Sequence, residues 1–435
     1  MRFLTTLTFL LTNLITCWGA DPLAQWAQWR GPWATGVGPK ADPPAEWSEN
    51  KNVRWKKALP GKGHSTPVVW GRRIFVTAAE PFGKPRLPVY DKAPGSHDNL
   101  PVMRSHRFIV IALDRKSGDE VWRRTVAEAF PHEGGHTSGT LASHSPITDG
   151  ERVYAFFGSR GLHALDWKGE VLWKAEIGVM NTKHAHGEGA SPVLHGDTLV
   201  VNWDHEGASA IHAFDKHTGK VKWRVDRDEV TSWSSPIVIE HEGTFQVVVS
   251  ATRRIRAYDL ETGKVIWECG GMSNNVVASP VYADGVVVAA CSYDSRSILA
   301  IKVAGAKGDI TGTDHVLWQT NQRTPYVPSP LLVGKAVLFL NHYQGILSCL
   351  NYKTGETLAG PFRLGPIRDV YASPVSAAKR IYITDRSGTT LVLSEGAELK
   401  EITINELDDI FSASAALVDK ELFLRGHKYL YCIAE

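Results

Sequence analysis

The sequence predicts an all-β chain that folds as an eight-bladed β-propeller, and three observations support this prediction. A four-strand unit recurs with a spacing near 44 residues, which is typical of propeller blades. Each unit holds short β-branched or aromatic runs separated by turn residues. The 435 residues include 39 Gly, 23 Pro and 15 Trp, a composition that favours strands and turns. The prolines that define the spacing are Pro146, Pro192, Pro236, Pro280, Pro330 and Pro374.

Most units begin with Ser-Pro and end with a tryptophan strand, but the sixth has no Trp after Thr354-Gly355 and the seventh lacks the Thr-Gly turn. The fullest copy starts at Ser235-Pro236, reaches Asp259, turns at Thr262-Gly263 and ends at Trp267. Asp and Thr side chains can bond their own backbone and Gly supplies a positive φ, so Asp-x-x-Thr-Gly suits a hairpin. A tryptophan eight residues after the Asp is predicted to bury its ring between neighbouring blades.

The two ends of the chain are predicted to share one blade. The first unit opens at Thr66-Pro67 and is long enough to carry an insert at about 79–106, which we expect to act as a lid, a partner-binding flap or a disordered insertion. The last unit opens near Ser414 and lacks a tryptophan strand. The segment 52–55 looks like that missing strand, and its addition would close the ring and remove two exposed sheet edges.

The repeat also resembles a known group of proteins. Its pattern Ala-x-Asp-x-x-Thr-Gly-x-x-x-Trp is similar to the tryptophan-docking motif of eight-bladed propellers of the pyrroloquinoline quinone (PQQ) type, over nearly all of residues 21–435. The stretches 29–32 (Trp-Arg-Gly-Pro) and 65–69 (Ser-Thr-Pro-Val-Val) resemble a secreted, planctomycete-type family of PQQ-like propellers. The superfamily includes the propeller subunit of the outer-membrane protein assembly machinery and the quinoprotein dehydrogenases. The resemblance specifies a fold much better than an activity.

The N-terminus has the layout of a signal peptide. A basic start, an apolar run and small residues before Asp21 predict a cleaved segment at 1–20 and export to the periplasm or cell surface. Cys17 offers a lipid-anchor site, although the Thr before it is unusual for such a motif. No later segment suggests a transmembrane span, and the formal net charge of +2 gives no reason to expect nucleic acid.

Polar residues are predicted to collect on one face of the propeller. If the Ser-Pro strand is innermost, the connections between blades and the loops between second and third strands share a face, and eleven of the 17 His fall there. His184, His186 and Glu188 lie on one side of an extended segment because side chains alternate. We therefore predict catalytic roles for His144, His186 and Glu188, and a divalent metal (Zn, Mn or Fe) held by His136, His184 and His186. A simple hydrogen-bonded loop network is the alternative.

The same face supplies candidate ligand contacts. A Trp beside charged groups suits a sugar ring or another flat ligand, and arginines suit carboxylates. Surface ion pairing is the competing explanation for the charged members of the set. The predicted ligand-binding residues are His64, Trp203, His205, Arg227, Asp228, Trp233, Arg253, Tyr326 and Arg368.

Three functions remain open from the sequence, and whether the chain is an enzyme is one of the open points. The first is an exported binding or scaffold propeller that presents this channel mouth to a ligand or protein partner. The second is a carbohydrate-active lyase or hydrolase that uses a metal or the His residues. The third is a PQQ-dependent dehydrogenase, which has the least support because such enzymes typically carry adjacent cysteines and long cofactor-enclosing insertions that this sequence lacks. The sequence leaves the oligomeric state undetermined.

Overall fold

The computed structural model describes residues 20–88, 93–396 and 398–435, so the predicted signal peptide and Cys17 lie outside the described residues, apart from residue 20. Its strands form eight sheets with four antiparallel strands each, and one sheet carries a short fifth strand. The all-β, eight-bladed prediction is confirmed. Three short 3-10 turns lie at Pro22–Ala24, Gly158–Arg160 and Lys183–Ala185.

The strands follow the repeat in chain order, and the first of them is β1 (Val53–Ala58). Blade 1 contains β2 (Val68–Trp70), β3 (Arg73–Phe82), β4 (Ser105–Asp114) and β5 (Glu120–Ala129). Blade 2 contains β6 (Ile147–Thr148), β7 (Arg152–Phe156), β8 (Leu162–Asp166) and β9 (Val171–Ala175). Blade 3 contains β10 (Val193–His195), β11 (Thr198–Trp203), β12 (Ala210–Asp215) and β13 (Val221–Asp226). Blade 4 contains β14 (Ile237–His241), β15 (Thr244–Ser250), β16 (Ile255–Asp259) and β17 (Val265–Cys269).

The second half repeats the arrangement. Blade 5 contains β18 (Val281–Ala283), β19 (Val286–Ser292), β20 (Arg296–Lys302) and β22 (Val316–Thr320), while β21 (Gly308–Asp309) pairs with β17 of blade 4. Blade 6 contains β23 (Leu331–Val333), β24 (Ala336–Leu340), β25 (Ile346–Asn351) and β26 (Thr357–Arg363). Blade 7 contains β27 (Val375–Ala377), β28 (Arg380–Thr384), β29 (Thr389–Ser394) and β30 (Glu401–Glu406). Blade 8 contains β31 (Ala416–Val418), β32 (Glu421–Arg425), β33 (Tyr429–Ile433) and β1.

The last blade is closed by the N-terminal strand, as the sequence predicts. Strand β1 pairs antiparallel with β33, and Trp55 lies opposite Cys432. Trp55 then covers Gly118 in the turn of blade 1, where a Cβ would lie 2.6 Å from the indole. The two ends of the chain therefore complete a regular four-stranded blade, and the ring of blades is closed at this point.

A ring of hydrogen bonds joins the innermost strands. The backbone N–H of the Ser in one Ser-Pro unit donates to the hydroxyl of the Ser in the next, at 2.8–2.9 Å. In blade 1, Thr66 replaces the Ser: its N–H donates to Ser145, and its hydroxyl donates to the carbonyl of Ser414. The bonds run around all eight blades, which gives the repeated Ser a structural reason. The ring serines are Ser145, Ser191, Ser235, Ser279, Ser329, Ser373 and Ser414.

Residues 20–52 cross one end of this ring before they reach β1. The backbone of Trp26 bonds to Val69 in blade 1, whereas that of Gly38 bonds to Ser376 in blade 7. Between them, the Arg30 guanidinium donates to the carbonyl oxygens of Pro374 (3.0 Å) and Pro330, which directly follow two ring serines. Arg30 is 1% exposed and has no carboxylate partner among the described residues, and burial lowers its pKa to about 9. The segment therefore covers the channel from one side.

Candidate functional site

The opposite side of the ring opens into a cavity of about 530 Å³. Its walls come from connections between blades and from loops between second and third strands, and its inner end carries Trp29 and five ring serines. Because residues 20–52 cover the far side, the channel is a pocket with one mouth. Its volume lies within the range of about 300–1,000 Å³ that is typical of ligand pockets. The aromatic residues in the lining are Trp29, Trp233, Tyr293, Tyr326, Tyr343 and Tyr371.

One wall is a continuous aromatic surface. Tyr326 stacks on His342 with ring centroids 4.8 Å apart, and His342 lies 4.4 Å from Tyr343. Tyr343 in turn contacts Tyr371 at 5.9 Å. Burial raises the pKa of Tyr326, so its hydroxyl remains protonated and can donate to a ligand. Trp233, on another wall, donates its indole N–H to the carbonyl of Gly187 at 2.7 Å, which fixes the ring.

Four histidines pack together at the mouth. The His186 ring lies 4.7 Å from His136, 4.8 Å from His97 and 5.3 Å from His184. Burial first, and the neighbouring His136 second, lower the pKa of His186 to about 4. Burial also lowers the pKa of His136. These two imidazoles are therefore neutral near neutral pH, and their lone pairs and N–H groups act as hydrogen-bonding groups rather than as charges.

Hydrogen bonds settle the tautomers in this cluster. His186 donates from Nε2 to the carbonyl of His97 at 3.2 Å, which leaves its Nδ1 as an acceptor. His136 accepts at Nδ1 from the backbone N–H of Ser138 at 3.1 Å, so its proton sits on Nε2. A metal at Nε2 of His136 would require that proton to move. The metal assignment of His136, His184 and His186 stays a prediction.

Glu188 lies at the edge of the same cavity. Its carboxylate accepts from the backbone N–H of Ser159 at 2.7 Å and from the Ser159 hydroxyl, and burial raises its pKa to about 7. The carboxylate occupies the space beside Gly158, where any Cβ would collide with it. Ligand atoms of His132, Glu133 and Glu188 lie within 4.8 Å of one another, so this group could hold a cation. Of these three residues, the sequence predicts only Glu188 as a site residue.

A second histidine pair lies where blades 8 and 1 meet, and its member His64 lines the cavity. The Nε2 atoms of His64 and His427 are 3.0 Å apart, and the rings stack at 5.1 Å. One imidazole must donate while the other accepts, so at most one proton lies between them. Burial, followed by the neighbouring His427, holds the pKa of His64 well below its usual value.

His144 is placed differently from the other predicted catalytic residues. It is 2% exposed, packs against Phe156 with centroids 4.8 Å apart, and does not line the large cavity. Burial lowers its pKa to about 3. Its Nδ1 has no hydrogen-bond partner among the described residues, and it borders a small void that it shares with Asn202 and Glu188. Its catalytic role stays a prediction.

Arg227 forms a buried ion pair beneath the cavity wall. Its Nε donates to Asp204 at 2.7 Å, its Nη1 donates to the Tyr258 hydroxyl, and the Arg227 and Asp204 side chains have no exposed surface. Asp204 also accepts from the Ser232 hydroxyl at 2.6 Å. These contacts are internal to the protein, and Arg227 is absent from the cavity lining.

The remaining predicted ligand residues divide into two groups. His64, Trp233 and Tyr326 line the cavity, and His136, His186 and Glu188 do so as well. Trp203 packs in the core, while His205 accepts at Nδ1 from the backbone N–H groups of its own loop and of Asn181. Ligand binding stays a prediction for all nine predicted residues, and six of them lie outside the cavity lining. These are Trp203, His205, Arg227, Asp228 (which pairs with Arg256), Arg253 and Arg368.

Three tyrosines of the aromatic wall were missed as site residues. Tyr293 and Tyr343 lie in loops between second and third strands, and Tyr371 lies in a connection between blades. The loop positions that place Trp233 and Tyr326 on this face also place these three tyrosines there, and this is the signal that could have found them. The predicted insert contributes His97 and Asp98, and Asn99 donates to the carbonyl of His184 at 2.7 Å.

Comparison with known proteins identifies the family. A family model of PQQ-type repeats, described as outer membrane protein assembly factor BamB, matches residues 45–201, 106–358 and 207–425, which together span most of the chain. The chain belongs to this family. A BamB protein of Francisella salina is 28% identical over 101 residues, which cover 23% of this chain and 18% of that relative. The chain therefore matches only a small part of that curated relative.

Solved structures show the same fold. BamB from Moraxella catarrhalis is 14% identical and aligns with a TM-score of 0.56 over 87% of this chain and 95% of its own. The quinohemoprotein alcohol dehydrogenase of Comamonas testosteroni is 10% identical, with a TM-score of 0.63 over 95% of this chain and 81% of its own. At these identities the likeness establishes the architecture alone.

The cavity does not fit the quinone of such dehydrogenases. The adjacent-cysteine disulfide that the resemblance implies has no counterpart, since Cys269, Cys291, Cys349 and Cys432 are separately buried in the blades and unpaired. The described lining contains the carboxylates Asp98 and Glu188 and no asparagine, whereas the cation site of those enzymes combines Glu, Asn and Asp.

In the described part of the chain, no helix has the length and apolar character needed to cross a bilayer.

Proposed function

We propose that this chain is an exported, envelope-associated binding propeller of the BamB-like family, which receives a ligand or a segment of a protein partner in its single-mouthed cavity. The observation that carries the proposal is the closure of the channel by residues 20–52, with Arg30 bonded to Pro330 and Pro374. A covered channel of about 530 Å³ forms a recess with a defined depth.

The lining suits an occupant with flat or apolar parts and several hydrogen-bonding groups. The stacked wall of Tyr326, His342 and Tyr343 offers ring faces, and neutral His186 and the Tyr326 hydroxyl offer directional polar contacts. Interfaces are enriched in Tyr and Trp for the same reason: each combines a large apolar face with one polar group. A role in outer-membrane protein assembly, as in the name of the Francisella protein, would make the occupant a protein segment.

Site-specific photocrosslinking in the producing cell tests the proposal. A photoreactive residue in place of Tyr343 is expected to trap a discrete partner or ligand. The same residue in place of Thr262, in a turn on the opposite face, serves as the matched control. A further variant, Val277→Trp, enlarges a half-buried lining residue that takes no part in the serine ring. It is expected to fill the cavity and to remove the adduct while the circular dichroism spectrum is retained. Equal labelling at both positions, or an adduct that survives Val277→Trp, would contradict the proposal.

A further inference from the structure

A seam is the contact between two neighbouring blades. The same tryptophan contact recurs at five of the seams. In each, the indole lies over the turn of the following blade, and its Nε1 donates to the carbonyl of the residue after the turn's Asp or Asn, at 2.9–3.2 Å. The ring takes the place of a side chain at the turn glycine: at Gly263, with φ +72°, a Cβ would lie 2.7 Å from Trp223. The five tryptophans are Trp55, Trp122, Trp173, Trp223 and Trp318.

The seam between blades 6 and 7 lacks this indole. The register places Ala359 opposite Cys349, where blade 3 has Trp223 opposite Ala213. The neighbouring residue Leu338 varies among the blades: the matching position is aromatic in blades 1, 2 and 8 and a valine in blades 3, 4 and 5. The clear difference at this seam is therefore the replacement of one indole by the methyl group of Ala359.

The result is an apolar cavity of about 340 Å³ at the surface. Leu338, Cys349 and Leu358 line it from blade 6, and Ile381 and Leu399 line it from blade 7. Glu395 also borders it and occupies the position whose carbonyl accepts the indole N–H in the other five seams. We call this cavity the slot. It has the side walls that surround the indole in the other five seams and the backbone position that accepts the indole N–H there, but no tryptophan of the described residues fills it.

The neighbouring seam shows that this chain accepts an indole supplied from outside the blade. Blade 7 carries Thr403 at the tryptophan position. There Trp47, from the segment before β1, packs in the shared core of blades 7 and 8, stacks on Tyr382 at 6.2 Å, and its backbone N–H bonds to Asn405. An indole that arrives on a separate segment therefore fills the packing position of the repeat's own, although the Nε1 of Trp47 has no hydrogen-bond partner among the described residues.

We propose that the slot between blades 6 and 7 binds a tryptophan side chain of a partner protein, with an acidic group next to that tryptophan. The acidic preference comes from Lys335, which is exposed at the rim of the slot and makes no ion pair with the described residues. The carboxylate of Glu395, which also borders the slot, accepts a hydrogen bond from the buried Ser376 hydroxyl. A carboxylate beside the incoming indole would complement its charge. This site is separate from the central cavity, and neither proposal depends on the other.

Fluorine NMR of small probes tests the slot on the mature protein. N-acetyl-5-fluorotryptophan carries both the indole and a carboxylate, whereas its amide lacks the charge. Both are expected to give a saturable shift, and the charged probe is expected to bind severalfold more tightly. Lys335→Gln should abolish that difference without changing the affinity for the amide. A lack of saturable binding, or equal affinity of the two probes, would overturn the proposal.

Filling the slot from within provides the second test. Ala359→Trp restores the repeat and is expected to lower probe affinity at least tenfold. Leu338→Phe, which copies blades 1 and 8, narrows the slot and should have the same effect if Ala359→Trp does not fold. Trp318→Ala opens the equivalent seam between blades 5 and 6 and should create a second binding site. Unchanged binding in a folded Ala359→Trp or Leu338→Phe variant would overturn the proposal, and the crosslinking at Tyr343 would be unaffected by either result.

Discussion

The backbone N–H of Ser235 donates a hydrogen bond of 2.8 Å to the hydroxyl of Ser279 in the next blade. Both residues are at least 94% buried, so water cannot easily replace the bond. Because the contact recurs from blade to blade, one hydroxyl at the start of each innermost strand fixes the spacing of its neighbour. The central pocket is thus bounded by the same bonds that hold the ring together.

Ser279→Ala is expected to destabilise the protein by about 1–3 kcal/mol, because it leaves the buried N–H of Ser235 without an acceptor. Chemical denaturation followed by circular dichroism measures the change. Ser279→Thr keeps a hydroxyl oxygen that can accept from the Ser235 N–H, and should retain most of the stability. A wild-type unfolding curve for the Ala variant would show that the ring bonds do not stabilise the fold.

Arg30→Met is expected to cost roughly 3 kcal/mol or more, because hydrogen bonds to a charged group contribute about 1.5–3 kcal/mol each. The variant should also expose residues 20–52 to limited proteolysis, since Arg30 anchors that segment to Pro330 and Pro374. Lys40→Gln in the same segment removes only an exposed pair with Asp21 and should change stability by less than about 1 kcal/mol. Equal effects of the two substitutions would argue against Arg30 as the anchor.

The lowered pKa of His144 predicts that the stability of the fold depends on pH. Its pKa is about 3 in the folded chain and about 6.5 in an unfolded one, so between these values the unfolded chain binds more protons. The free energy of unfolding should therefore fall as the pH is lowered from 6.5 towards 3, by at most about 1.4 kcal/mol per pH unit from this group. His144→Phe should flatten that slope in urea denaturation at pH 7 and pH 4.5. Phe156→Leu, beside it, should lower stability equally at both pH values; an unchanged slope in His144→Phe would refute the prediction.

Arg227 and Asp204 are expected to behave as a structural pair. Removing one member of a buried ion pair typically costs about 3–5 kcal/mol because the other charge is left buried and unpaired. Arg227→Met should therefore lower stability strongly, and the double variant Arg227→Met with Asp204→Asn should recover part of the loss. A double-mutant cycle by thermal unfolding measures the coupling. A loss of ligand binding without a loss of stability would instead support the ligand role that the sequence suggests for Arg227.

Prediction from sequence succeeded where a local pattern repeats. The Ser-Pro starts and the Thr-Gly turns located the blades, and the incomplete last unit correctly placed 52–55 in blade 8. The same patterns could not locate the cavity lining residue by residue. Arg227 and Tyr326 both lie in or beside loops on the same face, yet one side chain is buried beside Asp204 and the other lines the cavity. That difference depends on how adjacent blades pack, which no single repeat encodes.

By itself, the sequence determined the number of blades, the strand that closes the ring and the face on which the histidines collect, because these follow from periodic, short-range signals. Only the tertiary structure decided that residues 20–52 cover one side of the channel, that His64 and His427 share a proton position, and that the seam beside Ala359 is open. Each of these joins residues hundreds of positions apart or depends on the space between two blades. The physical reason is that burial and cavity shape arise from contacts between repeats, whereas the repeat pattern records only the contacts within one.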